Sequence, residues 1–381
     1  MRPLFTYKRS IMAKPLRILV ALGRHEFRVH RGVVRYARDA GWHLTVTTAF
    51  ADRVPWGWEG DGIIASVGGS AEMVDFFAAA KVPVVDLNWS RPQLQFPRML
   101  ADHQAIGRQA AQHFMSRGFR NFLFFSRRPS WYQAERLDAF STAVAEAGLI
   151  AAHSAFPPPG GSWLEHRNWI REEVCKHPFP LAVFCANDGA ASAVIDVCIH
   201  NGLQIPDQVA VVGIGNYDPI CETLAVTLSS VDSNEFGKGE QGAALLARCM
   251  DGEQLSLTPY RVPSLGVVVR ASSDIFAVEH PKVARAVRYI HQHYADPIGI
   301  LHIAEVAGLS RQGLNKAFRQ HLRRTPGSEL RRVRLSEGRR LLQETELTLD
   351  QIARSTGYSS ANSLCIAFQR AFGHSPSRLR R

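Results

Sequence analysis

The 381-residue sequence predicts an α/β module of parallel, doubly wound sheets followed by an all-α module with two helix-turn-helix units. Three observations predict it. Over residues 17–270, short continuous apolar runs alternate with amphipathic stretches, the pattern of parallel sheets covered on both faces. Beyond residue 280, two glycine turns at 308 and 357 are each followed by apolar residues spaced four apart. The net charge of +11 is wholly C-terminal: residues 280–381 hold 18 Lys and Arg against 7 Asp and Glu, and the rest of the chain carries 27 of each. An excess so placed is the footprint of a segment that meets a polyanion, joined to a neutral module.

Residues 1–16 read as a flexible lead, with scattered basic residues and no apolar stretch of signal-peptide length. Arg17–Leu22 (RILVAL) reads as a buried strand, Arg28–Ala40 as a helix closed by Gly41, and His43–Thr48 as an alternating strand. Gly62–Ser66, Val82–Leu87, Asn121–Ser126, Leu181–Ala186 and Val209–Ile214 supply further strands. Helices are expected over Glu72–Ala80, Ile106–Arg117, Ala134–Ala147, Gly189–Asn201 and Phe236–Met250. So many units point to two sheets rather than one, with ligand expected in the cleft between them. No apolar run approaches the ~20 residues of a membrane helix. The six cysteines are far apart, mostly inside apolar runs, and form no CxxC pair, which argues against a zinc site and for reduced, buried thiols in a cytoplasm.

Catalytic signatures are missing from this region. There is no GxGxxG after a strand, no Walker A sequence and no GxSxG elbow. His25 and His30 flank Glu26 but stand five apart, roughly 140° around a helix, and so do not share a metal-binding face. Asn88-Trp89-Ser90 fits a glycosylation sequon, with nothing to indicate secretion. No catalytic residue, metal site or cofactor is expected.

Ala186-Asn187-Asp188-Gly189-Ala190-Ala191 follows an apolar strand, and Ile205-Pro206-Asp207 leads into Val209-Ala210-Val211-Val212-Gly213. With Leu228-Ser229-Ser230-Val231 and Leu100-Ala101-Asp102, these segments resemble the lac repressor and periplasmic sugar-binding superfamily across roughly 17–270. That family usually has Asp two residues after the glycine of VVG; here Gly215-Asn216 follows Ile214. The resemblance implies a two-lobed, periplasmic-binding-protein-like sensor that closes on a small sugar. Its site is expected to draw on Arg136, Asn187, Asp188 and Asn216, with Phe27, Asp86, Trp89 and Trp131 following strands nearby. Sugar hydroxyls both donate and accept, so such a site needs carboxylates, amides and guanidinium beside an apolar platform. Each residue also has a plainer role open to it: helix N-capping for Asp188, a salt bridge to Glu135 or Asp138 for Arg136, and packing for Trp89 and Trp131.

Residues 271–282 lose periodicity and read as a linker, leaving 283–381 as the second module. After a helix over Lys282–Tyr294, a second begins near Gly299, with Ile300, Ile303, Ala304 and Ala307 on one face. Gly308 supplies a turn, Ser310 is placed to N-cap the next helix, and Leu314, Phe318 and Leu322 form its buried stripe. This is helix-turn-helix geometry. Arg311, Gln312, Asn315, Lys316 and Arg319 face away from that stripe and have major-groove chemistry: Asn and Gln for adenine, Arg and Lys for guanine or phosphate. The pattern recurs beyond a long helix, Pro326–Gln343. Leu349, Ile352 and Ala353 lead to Gly357-Tyr358-Ser359, and Leu364, Phe368 and Phe372 form the second stripe. Ser360, Asn362, Ser363, Ile366 and Arg370 are its DNA-facing candidates, with no base-reading arginine before Arg370.

The run from Ile352-Ala353 through Gly357-Tyr358-Ser359 to Phe368-Gln369-Arg370-Ala371-Phe372-Gly373-His374-Ser375-Pro376 resembles the AraC family domain across roughly 283–381. That family often ends in Tyr-Arg where Leu379-Arg380 stands here. A sensor placed before, not after, the DNA-binding unit resembles the order in bacterial xylose-operon regulators, so xylose leads as effector. The implied protein is a cytoplasmic transcription regulator, a homodimer on double-stranded operator DNA with RNA polymerase as a further partner and no membrane. The competing readings are an α/β enzyme with a DNA-binding tail and a periplasmic transport receptor.

Overall fold

A computed structural model of the chain describes residues 15–22, 26–46, 54–126, 130–155, 162–275, 280–345, 347–372 and 375–376. The first lobe opens with β1 (Arg17–Ala21), α1 (Phe27–Ala40), β2 (His43–Thr45), β3 (Gly62–Ala65), α2 (Ala71–Ala78) and β4 (Val84–Asp86). Its strands lie in the order β2-β1-β3-β4, all parallel. RILVA and GIIA are almost wholly buried because helices cover both faces. Gly41, at φ 68°, ends α1 and returns its N–H to the carbonyls of Ala37 and Arg38.

The chain then passes through β5 (Met99–Ala101) into the second lobe: α3 (His103–Ser116), β6 (Asn121–Ser126), α4 (Trp131–Glu146), β7 (Ala151–Ala155), α5 (Trp163–Cys175), β8 (Leu181–Cys185), α6 (Asp188–His200), β9 (Val209–Ile214), the short α7 (Asp218–Cys221) and β10 (Ser229–Asp232). It returns to the first lobe as α8 (Glu235–Met250) and β11 (Tyr260–Val262), which pairs with β5, and crosses once more to β12 (Gly266–Val268). The second sheet runs β12-β10-β9-β8-β6-β7, parallel except for β12. Three crossovers thus join the lobes at the carboxyl ends of strands, where open α/β sheets leave their crevice. Helices α1 and α8 meet backbone to backbone: a Cβ on Gly32 would lie 2.0 Å from the Phe236 carbonyl oxygen, and one on Gly239 2.0 Å from that of Val29.

The two doubly wound sheets are as expected; several elements are additional. β5, β11 and β12 are three residues each, too short to register as a pattern. α5 buries only Ile170 and Val174, so its apolar stripe is faint, and its start is marked instead by the reciprocal Ser162–Glu165 capping box. The strand expected over His43–Thr48 ends at Thr45, and residues 47–48 lie outside the described residues, as does His25. The expectation of buried thiols holds for Cys185, Cys198 and Cys221 but not for Cys175, which is exposed near the end of α5.

The expected linker is also partly sensor. Ser272 and Ser273 are fully buried: Ser272 Oγ donates to the Val211 carbonyl and accepts from Ser229 N–H, and Ser273 Oγ meets His113 Nε2 at 2.8 Å. The helical module follows as α9 (Pro281–His293), α10 (Ile300–Ala307), α11 (Arg311–Leu322), α12 (Pro326–Glu344), α13 (Leu349–Ser355) and α14 (Ala361–Phe372). Pro281 starts α9 two residues before the expected domain boundary, since a first-turn proline loses no helical hydrogen bond. The module has two cores. Val283, Val287, Ile290, Ile303, Leu314, Phe318, Leu330 and Val333 form one; Leu335, Leu342, Ile352, Leu364 and Phe368 form the other. Each large side chain so buried contributes about 1.5–3 kcal/mol, and α12 serves both cores in succession.

Candidate effector cleft and DNA-facing helices

Between the lobes, charged side chains from both converge. Arg28, on α1 of the first lobe, donates to the carbonyls of Gly215 and Asn216 in the second lobe, and lies 3.8 Å from Asp232. Asn216 takes a left-handed backbone (φ 51°) after β9. Its N–H donates to Ser230 Oγ and its Nδ2 to Asp232, while Oδ1 is buried with no hydrogen-bond partner among the described residues. Asn187 caps α6 by accepting from Ala190 N–H at 2.8 Å. The N-cap is therefore Asn187 and not Asp188. Asp188 is buried instead and spends its carboxylate internally, accepting from Ser230 Oγ (2.6 Å) and Tyr217 N–H (2.8 Å). Burial raises its pKa against those bonds.

Arg136 is 8% exposed on α4. It donates to the Ala186 carbonyl at 2.9 Å and to His103 Nδ1 at 3.2 Å, and its guanidinium lies over the Tyr132 ring. The salt bridge open to it does not form: Glu135 pairs with Arg261, across to β11. Burial brings Arg136 down to about 10, still cationic at neutral pH. Burial, then the charges of Arg136, Lys238 and Arg261, push His103 down to about 2. A neutral His103 that accepts at Nδ1 carries its proton on Nε2 and presents a donor there. Trp131 packs edge-on against His103, centroids 5.1 Å apart, and its indole N–H is buried without a partner among the described residues. From the first lobe, Lys238 on α8 pairs with Glu235 at 2.5 Å and with Glu26 at 3.8 Å.

Trp131, Arg136, Asp188 and Asn216 thus belong to one cluster. Phe27, 60% exposed beside Arg28, stands at its edge with Arg31 near its ring. Asp86 and Trp89 build a knot at the end of β4. Asp86 is wholly buried, accepts from the N–H groups of Val67 and Asn88, and pairs with Arg98 at 3.2 Å; Arg98 in turn lies over Trp89. Sequence reasoning missed Arg28, His103, Tyr132, Asp232, Glu235 and Lys238. Some had a signal: His103 follows the Leu100-Ala101-Asp102 segment, and Asp232 follows Leu228-Ser229-Ser230-Val231.

α3 links this cluster to the rest of the molecule. His103 begins it, and past its end Arg117 feels the charges of Asp274 and of Arg332 on α12. His113 feels His291 on α9 in the same way. Facing them inside the helical module is Glu329, fully buried and bound by Arg324 (2.7 Å), Arg332 (2.7 Å) and His291 (3.3 Å). Burial alone would raise its pKa; the His291 and Arg332 hydrogen bonds and the charges of Arg332 and Arg324 hold it at about 2.

Within the helical module, Gly308 (φ 62°) turns α10 into α11, and Ser310 Oγ caps α11 by accepting from Gly313 N–H. Arg311, Gln312, Lys316 and Arg319 are exposed. Asn315 is half-buried and donates from Nδ2 to the Arg311 carbonyl. In the second unit, Gly357 (φ 72°) makes the turn and Ser360 Oγ accepts from Ser363 N–H at the start of α14. Ser363 Oγ returns to the Ser360 carbonyl. Asn362 and Arg370 are exposed, and Ile366 is 45% exposed. Residues 379–380 lie outside the described residues.

A fold of two sensor lobes and paired helix-turn-helix units defines a DNA-binding transcription regulator, and comparison with known proteins agrees. Residues 111–273 match the periplasmic binding protein-like domain family, and 303–381 a helix-turn-helix domain family. The xylose operon regulatory protein of Escherichia coli K12 is 26% identical over 372 residues, covering 93% of this chain and 94% of its own. Its counterpart in Haemophilus influenzae is 24% identical over 328 residues, 84% of each chain. A solved structure described as a xylose-binding transcription activator matches with a TM-score of 0.62 at 25% identity, covering 96% of this chain and 98% of that one. The chain is a transcription regulator that joins a periplasmic-binding-protein-like sensor to an AraC-type helix-turn-helix domain, and the enzyme reading falls with that. No helix among the described residues is long and apolar enough to cross a membrane.

Proposed function

We propose that this regulator binds a small neutral sugar between its lobes, with xylose the first choice, and that sugar occupancy controls its grip on operator DNA. The observation that carries this is that two buried polar atoms, the Trp131 N–H and Asn216 Oδ1, have no partner among the described residues and both belong to one cluster of ionised groups. Arg28, Arg136 and Lys238 are faced there by four carboxyl groups, Asp188, Asp232, Glu235 and Glu26. A site with no surplus of positive charge, and with donors and acceptors on both lobes, suits hydroxyls better than an acid. The module order shared with relatives named for xylose supports the pentose.

The reading extends to activation of transcription, as the description of the matched activator suggests, and to a cytoplasmic homodimer with RNA polymerase as a further partner. Closure must favour one arrangement of the DNA-binding domains over another. α3 is the element suited to carry it: its 14 residues span about 21 Å, from the cleft to the face of the helical module. Calorimetry on the full chain with xylose, arabinose, ribose, glucose and gluconate tests the proposal, followed by operator binding with and without the best ligand. Xylose should bind most tightly and change operator affinity. Preference for gluconate, or sugar binding that leaves DNA affinity untouched, would overturn it.

A further inference from the structure

The two helix-turn-helix units have separate cores, and what holds one relative to the other is mostly α12. Its apolar allegiance changes within three residues: Val333 belongs to the first core and Leu335 to the second. Arg334 lies at that change. Its Nε donates to the Tyr294 carbonyl at 2.7 Å and a terminal nitrogen donates to the Asp296 carbonyl at 2.8 Å. Tyr294 closes α9, so the guanidinium sits on carbonyls at a helix C-terminus, where a cation is favoured.

The turn of the second unit rests on the same spot. A Cβ on Gly357 would lie 2.6 Å from the Tyr294 carbonyl oxygen and 2.8 Å from both Cζ and Nε of Arg334. No side chain fits there, and the left-handed φ of 72° disfavours one independently. The end of α9 in the first unit, the middle of α12 and the turn before α14 therefore meet at one point, joined by directional hydrogen bonds and a backbone contact.

We propose that Arg334 is a positioning residue for DNA recognition: clamped between Tyr294, Asp296 and Gly357, it fixes the angle and separation of the recognition helices α11 and α14. A duplex turns once in about 10–10.5 base pairs, so one added base pair swings the second binding segment by roughly 35°. A rigid pair of helices registers that error, and a loosened pair absorbs it.

The test uses the full-length protein and an operator it selects from a random duplex library. Affinity is measured by fluorescence anisotropy for that operator and for versions with one or two base pairs inserted or deleted between the segments contacted by α11 and α14. Wild type should lose at least tenfold for a single insertion. Arg334→Ala should bind the native spacing about tenfold more weakly and show a flattened spacing profile, with an unchanged salt slope. Arg334→Lys, which keeps the charge and one hydrogen bond, should restore part of both and serves as the folded control if the alanine variant melts early. Two results would overturn the proposal: a wild type indifferent to spacing, or variants weakened equally at every spacing, which would leave Arg334 a folding role alone.

Discussion

The indole N–H of Trp131 and the carboxamide oxygen of Asn216 stand buried with no partner among the described residues, an arrangement that costs about 1–3 kcal/mol per group. If ligand hydroxyls complete them, removing the N–H relieves the free protein and penalises the complex. Trp131→Phe should therefore melt at the same temperature as wild type or higher, yet bind sugar about tenfold more weakly, near 1.4 kcal/mol. Unchanged sugar affinity by calorimetry would remove Trp131 from the site. Part of this cluster was legible beforehand, because Asn187, Asp188 and Asn216 follow strands in segments that resemble a known family and Arg136 lies in the second turn of a helix after another. What was not legible is how their valences are spent. Asp188 looked like a ligand group or a cap, but its oxygens are committed to Ser230 and Tyr217, contacts made across 42 and 29 residues of chain. Arg28, Glu235 and Lys238 were missed because only the crossovers decide which charged side chains turn inward.

At the scale of elements, the helical module was read almost to the residue. Its signals are local: αL glycines, Ser and Thr caps and a four-residue stripe each act within one turn. Glu329 shows what such signals leave out. It lies in the first turn of α12, and nothing in its local sequence shows that it is buried under three basic groups from α9, α12 and the segment between α11 and α12. A carboxyl held at about 2 in the fold, against an ordinary value of 4.5, stabilises by about 3 kcal/mol. The sign follows from the depressed value: the contribution is complete above pH 4.5 and fades as pH falls toward 2. Thermal melts of wild type and Glu329→Gln should differ most at neutral pH, with the gap closing below pH 4.5. A gap independent of pH would mean that the carboxylate charge is not what holds these helices together.

Across the whole molecule, charge is divided as sharply as structure, with a balanced sensor and a +11 helical end. Operator affinity should fall with a log–log salt slope of about −0.9 per phosphate neutralised. Arg319→Ala should make that slope shallower by about one contact and weaken all sequences alike, whereas Lys316→Ala should alter base preference. Equal salt slopes in wild type and Arg319→Ala would take α11 off the phosphate backbone. Arg28 carries a consequence of another kind. Because its guanidinium already ties α1 to Gly215 and Asn216 across the cleft, an arriving ligand meets a door that is fastened. Entry then waits for the fastening to lapse, and raising the ligand concentration quickens capture only until that waiting time dominates.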